Sequence, residues 1–289
     1  MTNNYKTLDG RVVAGAMYED ISRRATELVA RGFGPNLVSI SVGESEASRL
    51  YVRNQKRTAQ KLGIGFDERE FSGDISIGEL TGIIGELNAD PRVTGIIIQR
   101  PVPDHLPVRT LQAKIHPLKD VEGMHPSSIG NIVYNELVMG PCTAVASVEL
   151  LKKTGLELKG LEVVIIGHSE IVGKPIAFLL MSEGATVTVC HHMTRNLRVH
   201  SRSADAVFVA VGKPGLVTGD MIKPGAALID IGINQITDED GNSKVVGDAD
   251  FDSCLETAGW ITPVPGGVGP VTVAVLMRNS VIAAGLINQ

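Results

Sequence analysis

Short apolar runs rich in β-branched residues alternate with helical segments along this chain. Strands are indicated at residues 36–42 and 93–99, with helices between them at residues 45–62 and 77–87. Strands that are apolar along their whole length favour parallel sheets, because crossover helices cover both faces. The alternation returns in the second half, with predicted strands at residues 161–166, 186–190, 206–210 and 226–231. We therefore predict an α/β protein built on parallel sheets.

A chain of 289 residues is long enough for two domains, each with its own core. We predict an N-terminal α/β domain over residues 1–145 and a Rossmann-like, doubly wound parallel sheet over residues 146–270. An apolar helix predicted at residues 271–287 is expected to return to the first domain. Residues 271–289 are therefore assigned to that first domain.

The overall charge and the cysteines exclude several classes of protein. A formal net charge of -5 without a Lys/Arg cluster argues against nucleic-acid binding, which needs a basic face. Residues 1–10 are polar, unlike a signal peptide, and no apolar run is expected to approach the roughly 20 residues of a membrane helix. The 3 cysteines are widely spaced, which excludes a disulfide framework and a zinc pattern and favours the cytoplasm.

The histidines show no metal-ligand spacing. His191 and His192 are adjacent at the end of a predicted strand, where neighbouring side chains should face opposite sides. We therefore predict no metal site.

A glycine-containing turn, Gly167-His168-Ser169-Glu170-Ile171-Val172-Gly173-Lys174-Pro175, follows the predicted strand at residues 161–166. Glycines there allow a tight turn and close approach of a pyrophosphate, and the next helix supplies free N–H groups. Because the spacing is not G-x-G-x-x-G, a plain strand-to-helix turn explains this segment equally well. The next strand ends in His191-His192 without a carboxylate, so a 2′-phosphate could be accommodated.

A second segment rich in glycine and proline precedes the last helix and reads Ile261-Thr262-Pro263-Val264-Pro265-Gly266-Gly267-Val268-Gly269-Pro270-Val271-Thr272. Such a composition is incompatible with a helix or a central strand. A rigid loop that exposes its backbone suits a ligand site, although an interdomain linker has the same composition.

These residues resemble the signature of the methylenetetrahydrofolate dehydrogenase/methenyltetrahydrofolate cyclohydrolase family. The segment at residues 263–270, followed by Thr272, is the most specific part. Other segments match in order along essentially the whole chain: Tyr51-Val52, Gln99 with Pro101, Lys119-Asp120-Val121-Glu122-Gly123, Pro141-Cys142-Thr143, the turn at 167–175, Val211-Gly212-Lys213-Pro214, Asp230-Ile231-Gly232-Ile233-Asn234 and Val246-Gly247-Asp248.

The resemblance implies a homodimer of two-domain protomers that bind tetrahydrofolate substrates in a cleft between the domains. The dehydrogenase step moves hydride from 5,10-methylenetetrahydrofolate to NADP+ or NAD+ and leaves a methenyl cation, which needs positioning more than acid–base help. The cyclohydrolase step adds water to give 10-formyltetrahydrofolate and requires proton transfer.

The resemblance also implies the site residues. The catalytic set is Tyr51, Gln55, Lys56, Gln99 and Glu122. The substrate-binding set is Tyr51, Gln99, Arg100, Glu122, Pro263, Gly266 and Gly267. The cofactor-binding set is Gly167, His168, Ser169, Ile171, Val172, Gly173, His192, Gly212, Ile233 and Thr272.

The catalytic set departs from the family pattern at three positions. Gln55 stands where the family has a catalytic lysine, and an amide cannot take a proton from water. Lys56 is rotated by about 100° on the helix and should point away. Glu122 replaces Asp, and Arg100 replaces an apolar residue. We therefore predict that cyclohydrolase activity is weakened or rebuilt, unless Gln55 faces solvent and the other two changes are neutral.

The cofactor is predicted to be NADP, with NAD as an alternative. NADP-dependent members often have Arg at the position of His168 and a small hydroxyl residue near His192, and histidines can also bind a phosphate. Two other interpretations remain open. The chain could be a folate- and NADP-binding regulatory protein without turnover, or another Rossmann dehydrogenase that acts on a small acid, against which the segment at 263–270 argues.

Overall fold

The structure, a computed structural model, describes residues 7–43, 46–237 and 241–288. The chain forms two compact units. One, here the N-terminal unit, consists of Ala16–Cys142 and Val273–Gln289. The other, here the Rossmann unit, consists of Met1–Gly15 and Thr143–Thr272. The last helix from Val273 onward falls in the N-terminal unit, and the first described residues, up to Gly15, fall in the Rossmann unit. Leu8 N donates to Ile261 O at 2.8 Å there, so this segment adds to the edge of the second sheet.

The helices and strands follow in chain order. They are α1 (Gly10–Ala30), β1 (Asn36–Val42), α2 (Glu46–Lys61), β2 (Gly65–Phe71), α3 (Ile77–Ala89), β3 (Gly95–Ile98), α4 (Val108–Gln112), α5 (Pro126–Val133), α6 (Cys142–Lys152), β4 (Glu162–Ile166), α7 (Gly173–Ser182), β5 (Thr186–Cys190), α8 (Leu197–Ser201), β6 (Ala206–Val209), β7 (Ala227–Asp230), β8 (Asn234–Thr237), β9 (Ser243–Val246), α9 (Phe251–Thr257), β10 (Trp260–Ile261) and α10 (Val268–Ile287).

The N-terminal unit contains a parallel sheet in the order β2–β1–β3. Its central strand β1 and the neighbouring β3 are almost wholly buried, and α3 packs its apolar residues Leu80 and Ile84 against them. The capping box of Ser76 and Glu79 fixes the start of that helix. Asn279 on α10 donates to the carbonyls of Val121 and Gly140, which ties the last helix to this unit.

The Rossmann unit contains a parallel sheet in the order β10–β7–β6–β4–β5. The order places β4 between β5 and β6, and all three strands are parallel. The side on which the next strand is added therefore reverses at β4. Ligands of open α/β sheets bind beyond the carboxyl ends of the strands at such a point. The parallel sheets of the two units confirm the predicted α/β class and the Rossmann-like second domain.

The last helix corrects one expectation from the sequence. Among the described residues, α10 alone is long and apolar enough to span a membrane, whereas the sequence predicts no such run. However, 67% of the most apolar 18-residue stretch of this helix is buried inside the protein, as in the core helix of a folded unit.

Candidate active site

A buried cluster of amides lies at the carboxyl edge of the N-terminal sheet. Gln99 directly follows β3, and its Nε2 donates to Ser39 Oγ on β1 at 2.9 Å and to Gln55 Oε1 on α2 at 2.8 Å. Both Nε2 protons of Gln99 are therefore used. Gln55 is completely buried, and its own Nε2 has no hydrogen-bond partner. A buried donor without a partner is costly, and a ligand acceptor beside Gln55 would remove that cost.

The two neighbouring residues on α2 face different surroundings. The interpretation that Gln55 faces solvent is wrong, because the side chain is 0% exposed. The ammonium of Lys56 instead forms an ion pair with Glu68 on β2 at 3.3 Å. One helical step thus separates a buried amide from a partly exposed cation. Lys56 is not brought together with Gln55 and Gln99.

Tyr51 lies one helical turn before Gln55 and connects the amide cluster to Glu122. Desolvation raises the pKa of the Tyr51 phenol, Cys142 and Glu122 raise it further, and the neighbouring Gln55 side chain opposes them. Cys142 is buried at the start of α6, and its thiol donates to Val121 O at 3.4 Å. Desolvation and the nearby acidic residues hold the pKa of this thiol well above its usual value, so it stays protonated.

Glu122 is the carboxyl group of this site. Desolvation raises its pKa to about 7, and Asp120 adds to the increase, while Arg100 and a hydrogen bond from Gln112 oppose it. Gln112 Nε2 donates to Glu122 Oε2 at 3.4 Å, and Arg100 Nη2 donates to Gln112 Oε1 at 3.1 Å. Tyr51, Gln55, Gln99, Arg100 and Glu122 therefore lie in one region of the N-terminal unit. Gln112 joins them, although the sequence did not single it out.

In the Rossmann unit, the turn between β4 and α7 is too tight for side chains at its two glycines. A Cβ on Gly173 would lie 2.0 Å from Gly167 O, and one on Gly167, at φ +118°, would lie 2.3 Å from Ala210 O. Ser169 shapes the turn by accepting from Val172 N at its Oγ and from Lys174 N at its carbonyl. The side chains of His168 and Ile171 are exposed along it, and Val172 is half-buried.

Three histidine rings meet beside this turn, which corrects the prediction that His191 and His192 diverge. The centroids of His168 and His191 are 4.9 Å apart, those of His191 and His192 5.8 Å, and those of His168 and His192 6.3 Å. Strand alternation does not apply because β5 ends at Cys190. The candidate ligand atoms lie within 4.8 Å of one another, close enough for a metal ion.

One hydrogen bond decides what these rings offer a ligand. His191 Nδ1 accepts from Met193 N at 3.1 Å, so in the neutral ring the proton sits on Nε2. That atom is then a donor rather than a metal ligand, unless the ring gives up its backbone bond. This ring is consequently better suited to an anion than to a cation.

Two buried carboxylates organise the other loops at this end of the Rossmann unit. Asp248 accepts from the backbone N–H groups of Val211, Gly212 and Lys213 and from Asn234 Nδ2. Asp230 accepts from the N–H groups of Gly232, Asp248 and Ala249, and burial raises its pKa to about 6. The predicted cofactor residues Gly212 and Ile233 lie on these loops, and Ile233 is 74% exposed.

The second glycine-rich segment is a tight turn that leads into α10. Gly267 N donates to Pro263 O at 2.8 Å, and Gly10 N donates to Gly266 O at 2.9 Å. A Cβ on Gly10 would lie 1.7 Å from Gly267 O, so the start of α1 rests directly on this backbone. Thr272 is buried on α10 and donates its hydroxyl proton to Val268 O. Pro263, Gly266 and Gly267 belong to the Rossmann unit, unlike the other predicted substrate-binding residues.

Family models cover both units. The model of the tetrahydrofolate dehydrogenase/cyclohydrolase catalytic domain matches residues 8–122, and that of the corresponding NAD(P)-binding domain matches residues 141–287. The chain belongs to the tetrahydrofolate dehydrogenase/cyclohydrolase family. The first region contains the amide cluster and Glu122, and the second contains the turn at 167–175 and the histidine cluster.

Individual family members are similar over nearly the full chain. Bifunctional protein FolD 2 of Mesorhizobium japonicum is 63% identical over 98% of this chain and 92% of its own length. The bifunctional FolD structure from Campylobacter jejuni superposes with a TM-score of 0.92 at 38% identity, covering 97% of this chain and 98% of that one. The Trypanosoma brucei methylenetetrahydrofolate dehydrogenase-cyclohydrolase, solved with NADP and an inhibitor, has a TM-score of 0.92 at 36% identity, and the match covers 97% of each chain.

Some residues that shape these sites of the family fold were not identified from the sequence. Ser39 and Gln112 carry no motif, since a buried hydroxyl on a strand and an amide on a short helix look like ordinary core-edge residues. Asp230 and Asp248 lie in segments that match the family, but their roles as backbone acceptors only become visible in the fold. His191 is absent from the predicted cofactor set, because strand alternation would turn it away from His192.

Proposed function

We propose that this protein is a methylenetetrahydrofolate dehydrogenase that transfers hydride from 5,10-methylenetetrahydrofolate to NADP+ and releases 5,10-methenyltetrahydrofolate. The observation that carries the proposal is the tight turn whose two glycines, Gly167 and Gly173, have no room for a side chain, in a chain that also has the family's catalytic region. That region has an unpaired amide donor at Gln55. A regulatory protein that binds folate alone would not need such a turn.

The Rossmann unit fits a dinucleotide. The missing side chains at Gly167 and Gly173 leave the turn's backbone open, and the Gly173 N–H at the start of α7 provides a donor for a pyrophosphate, whereas Lys174 N is bonded to Ser169 O. When bound, NADP+ supplies the hydride acceptor of the reaction. Ser169, Ile171, Val172, Gly212, Ile233 and Thr272 are proposed to contact it. His168 and His192, joined by His191, are proposed to hold the 2′-phosphate.

In the N-terminal unit, the proposed task of the side chains during hydride transfer is to hold the folate rather than to move protons. Gln55 Nε2 is free to donate to an acceptor on the substrate, and the Gln99 amide keeps Gln55 in that orientation. Tyr51, Arg100 and Glu122 are proposed to complete the folate contacts of this unit. Hydride transfer leaves a resonance-stabilised cation, so such positioning is sufficient for the dehydrogenase step.

Water addition to the methenyl cation is proposed to be slow. That step needs a group that accepts a proton, and the Gln55 amide cannot do so near neutral pH. The protein is further proposed to act as a homodimer in the cytoplasm.

The experiment that tests the function is an assay of the purified protein with 5,10-methylenetetrahydrofolate and either NADP+ or NAD+. Reduced cofactor and methenyl product are followed separately. We expect reduced cofactor to form with NADP+ and methenyl product to accumulate with it. The absence of reduced cofactor with both dinucleotides, with folate and NADP+ still binding, would favour the regulatory protein instead.

The histidine cluster should determine the affinity for the 2′-phosphate. Replacing both His168 and His192 by alanine should raise the KM for NADP+ about tenfold, because charge-assisted hydrogen bonds are lost, and should leave the KM for NAD+ unchanged. Steady-state kinetics with both cofactors measure the ratio of the KM for NADP+ to the KM for NAD+. His200→Ala, on α8 and outside the cluster, is the matched control. An equal increase in the KM for both cofactors would show that these histidines do not recognise the 2′-phosphate.

A further inference from the structure

A chain of polar side chains runs from Arg100 through Gln112 to Glu122. Arg100 is exposed just after β3, Gln112 is only 3% exposed at the end of α4, and Glu122 is half-buried. The two hydrogen bonds that connect them measure 3.1 Å and 3.4 Å. A surface cation is thereby connected to an enclosed carboxyl group by one buried amide.

The chemistry of the partners fixes the orientation of this amide. A guanidinium can only donate, so the Gln112 oxygen must face Arg100. The Gln112 nitrogen consequently faces Glu122, where it needs an acceptor. A buried amide with both ends engaged is held firmly, and its donor favours the ionised over the protonated carboxyl group.

We propose that Glu122 is the proton-exchanging group of the residual methenyl hydrolysis, and that Gln112 is a positioning residue that connects it to Arg100. The proposal rests on the proposed function. It gives the site a proton acceptor that Gln55 does not supply. Tyr51 interacts with both Glu122 and Gln55.

The charges around Glu122 suit exchange near neutral pH. Desolvation brings its pKa to about 7, so the carboxyl group gains and loses a proton in that range. Arg100 and Gln112 limit this increase, whereas Asp120 adds to it. The surrounding groups that titrate or carry charge are Arg100 beyond β3, Asp120 in the same segment, Tyr51 on α2, Cys142 on α6 and, acting on Cys142, Arg278 on α10.

The hydrolytic step balances with one proton released. The oxygen of water bonds to the cationic methenyl carbon, while one water proton passes to the Glu122 carboxylate and leaves a neutral carbinolamine. The bond from this carbon to N5 then breaks, and N5 takes the proton back from Glu122. The hydroxyl proton leaves to solvent as the formyl C=O forms. Since Glu122 must begin as a carboxylate, the rate should increase with pH through its pKa.

The test is the pH profile of enzyme-dependent kcat/KM for methenyl hydrolysis, after subtraction of the spontaneous rate. The wild-type profile should increase with pH with a midpoint near 7, and Glu122→Gln should remove the increase. Arg100→Met and Gln112→Leu each delete an influence that lowers the pKa of Glu122. Both midpoints should therefore shift upward, by about half a pH unit or more. A merely structural role of Gln112 would lower the rate without moving the midpoint.

Gln60→Leu, an exposed glutamine on α2, is the matched control and should keep the wild-type midpoint. Arg100→Met changes an exposed residue and keeps the proposal falsifiable if Gln112→Leu fails to fold. Unchanged midpoints in the folded variants, hydrolysis that survives Glu122→Gln, or no enzyme-dependent hydrolysis at all would each overturn the inference. Dehydrogenase activity in the same samples separates these outcomes from a failure of the proposed function, in which no reduced cofactor forms.

Discussion

Replacing Gly173 by alanine is expected to weaken NADP+ binding at least about 100-fold. The new Cβ would lie 2.0 Å from the carbonyl oxygen of Gly167 and 2.7 Å from its carbonyl carbon. These are backbone atoms, so the steric clash can only be removed if the turn between β4 and α7 opens. The Gly173 N–H at the start of α7 would then lose its alignment, and affinity changes tenfold for every 1.4 kcal/mol lost. Titration of the purified variant with NADP+ measures the dissociation constant.

Gly82→Ala is the control for this substitution. Gly82 lies in α3, and a Cβ added there would have no neighbouring atom within 4 Å, so alanine should leave NADP+ binding unchanged and stabilise the helix slightly. Thermal unfolding of both variants distinguishes a local change in the turn from global unfolding. A folded Gly173→Ala variant that binds NADP+ within threefold of wild type would show that the turn does not contact the dinucleotide.

The strands were predictable from the sequence where a run of β-branched residues marks them. Strands β1 and β5 begin and end at the predicted residues, because β-branched runs stop there at glycine or polar residues. Strand β2 was not predicted. Its sequence Gly-Phe-Asp-Glu-Arg-Glu-Phe is dominated by charges, since it is an edge strand with solvent on one side. Its pairing with β1 is a tertiary effect that no local pattern reports.

The last helix begins earlier than its sequence predicts, for a related reason. Helix α10 begins at Val268, with Gly269 and Pro270 in its first turn, although the composition of this segment argues against a helix. The first N–H groups of a helix have no intrahelical partner, so proline costs little there. Composition alone does not distinguish the first turn from the interior.

The site was predictable where helix geometry decides it and not where distant segments meet. A rotation of about 100° per residue separates Gln55 from Lys56, and the structure places them on the amide cluster and on Glu68 respectively. The link from Arg100 to Glu122 could not be predicted. It depends on Gln112, whose short helix has to dock beside β3 before the amide has any function.

Replacing Gln55 by lysine is the change expected to affect hydrolysis most, with an increase of about 100-fold in the methenyl hydrolysis rate. A positioned group that accepts a proton typically contributes about 100-fold or more, and the amide contributes none. The side chain is 0% exposed, so an ammonium there would be poorly solvated. Burial lowers the pKa of a lysine, which makes the neutral amine, the form that accepts a proton, available near neutral pH. The dehydrogenase rate should change by less than about threefold, because hydride transfer needs no proton acceptor.

Two variants separate the amine's chemistry from a general effect of charge or size. Gln55→Met keeps the length without a proton acceptor and should leave hydrolysis at or below the wild-type rate. Gln60→Lys adds the same charge on the exposed side of α2 and should change nothing. Single-turnover hydrolysis of methenyltetrahydrofolate measures all three. If Gln55→Lys folds, oxidises methylenetetrahydrofolate and still fails to increase hydrolysis, position 55 does not lie where water attacks, and the missing lysine does not limit this site.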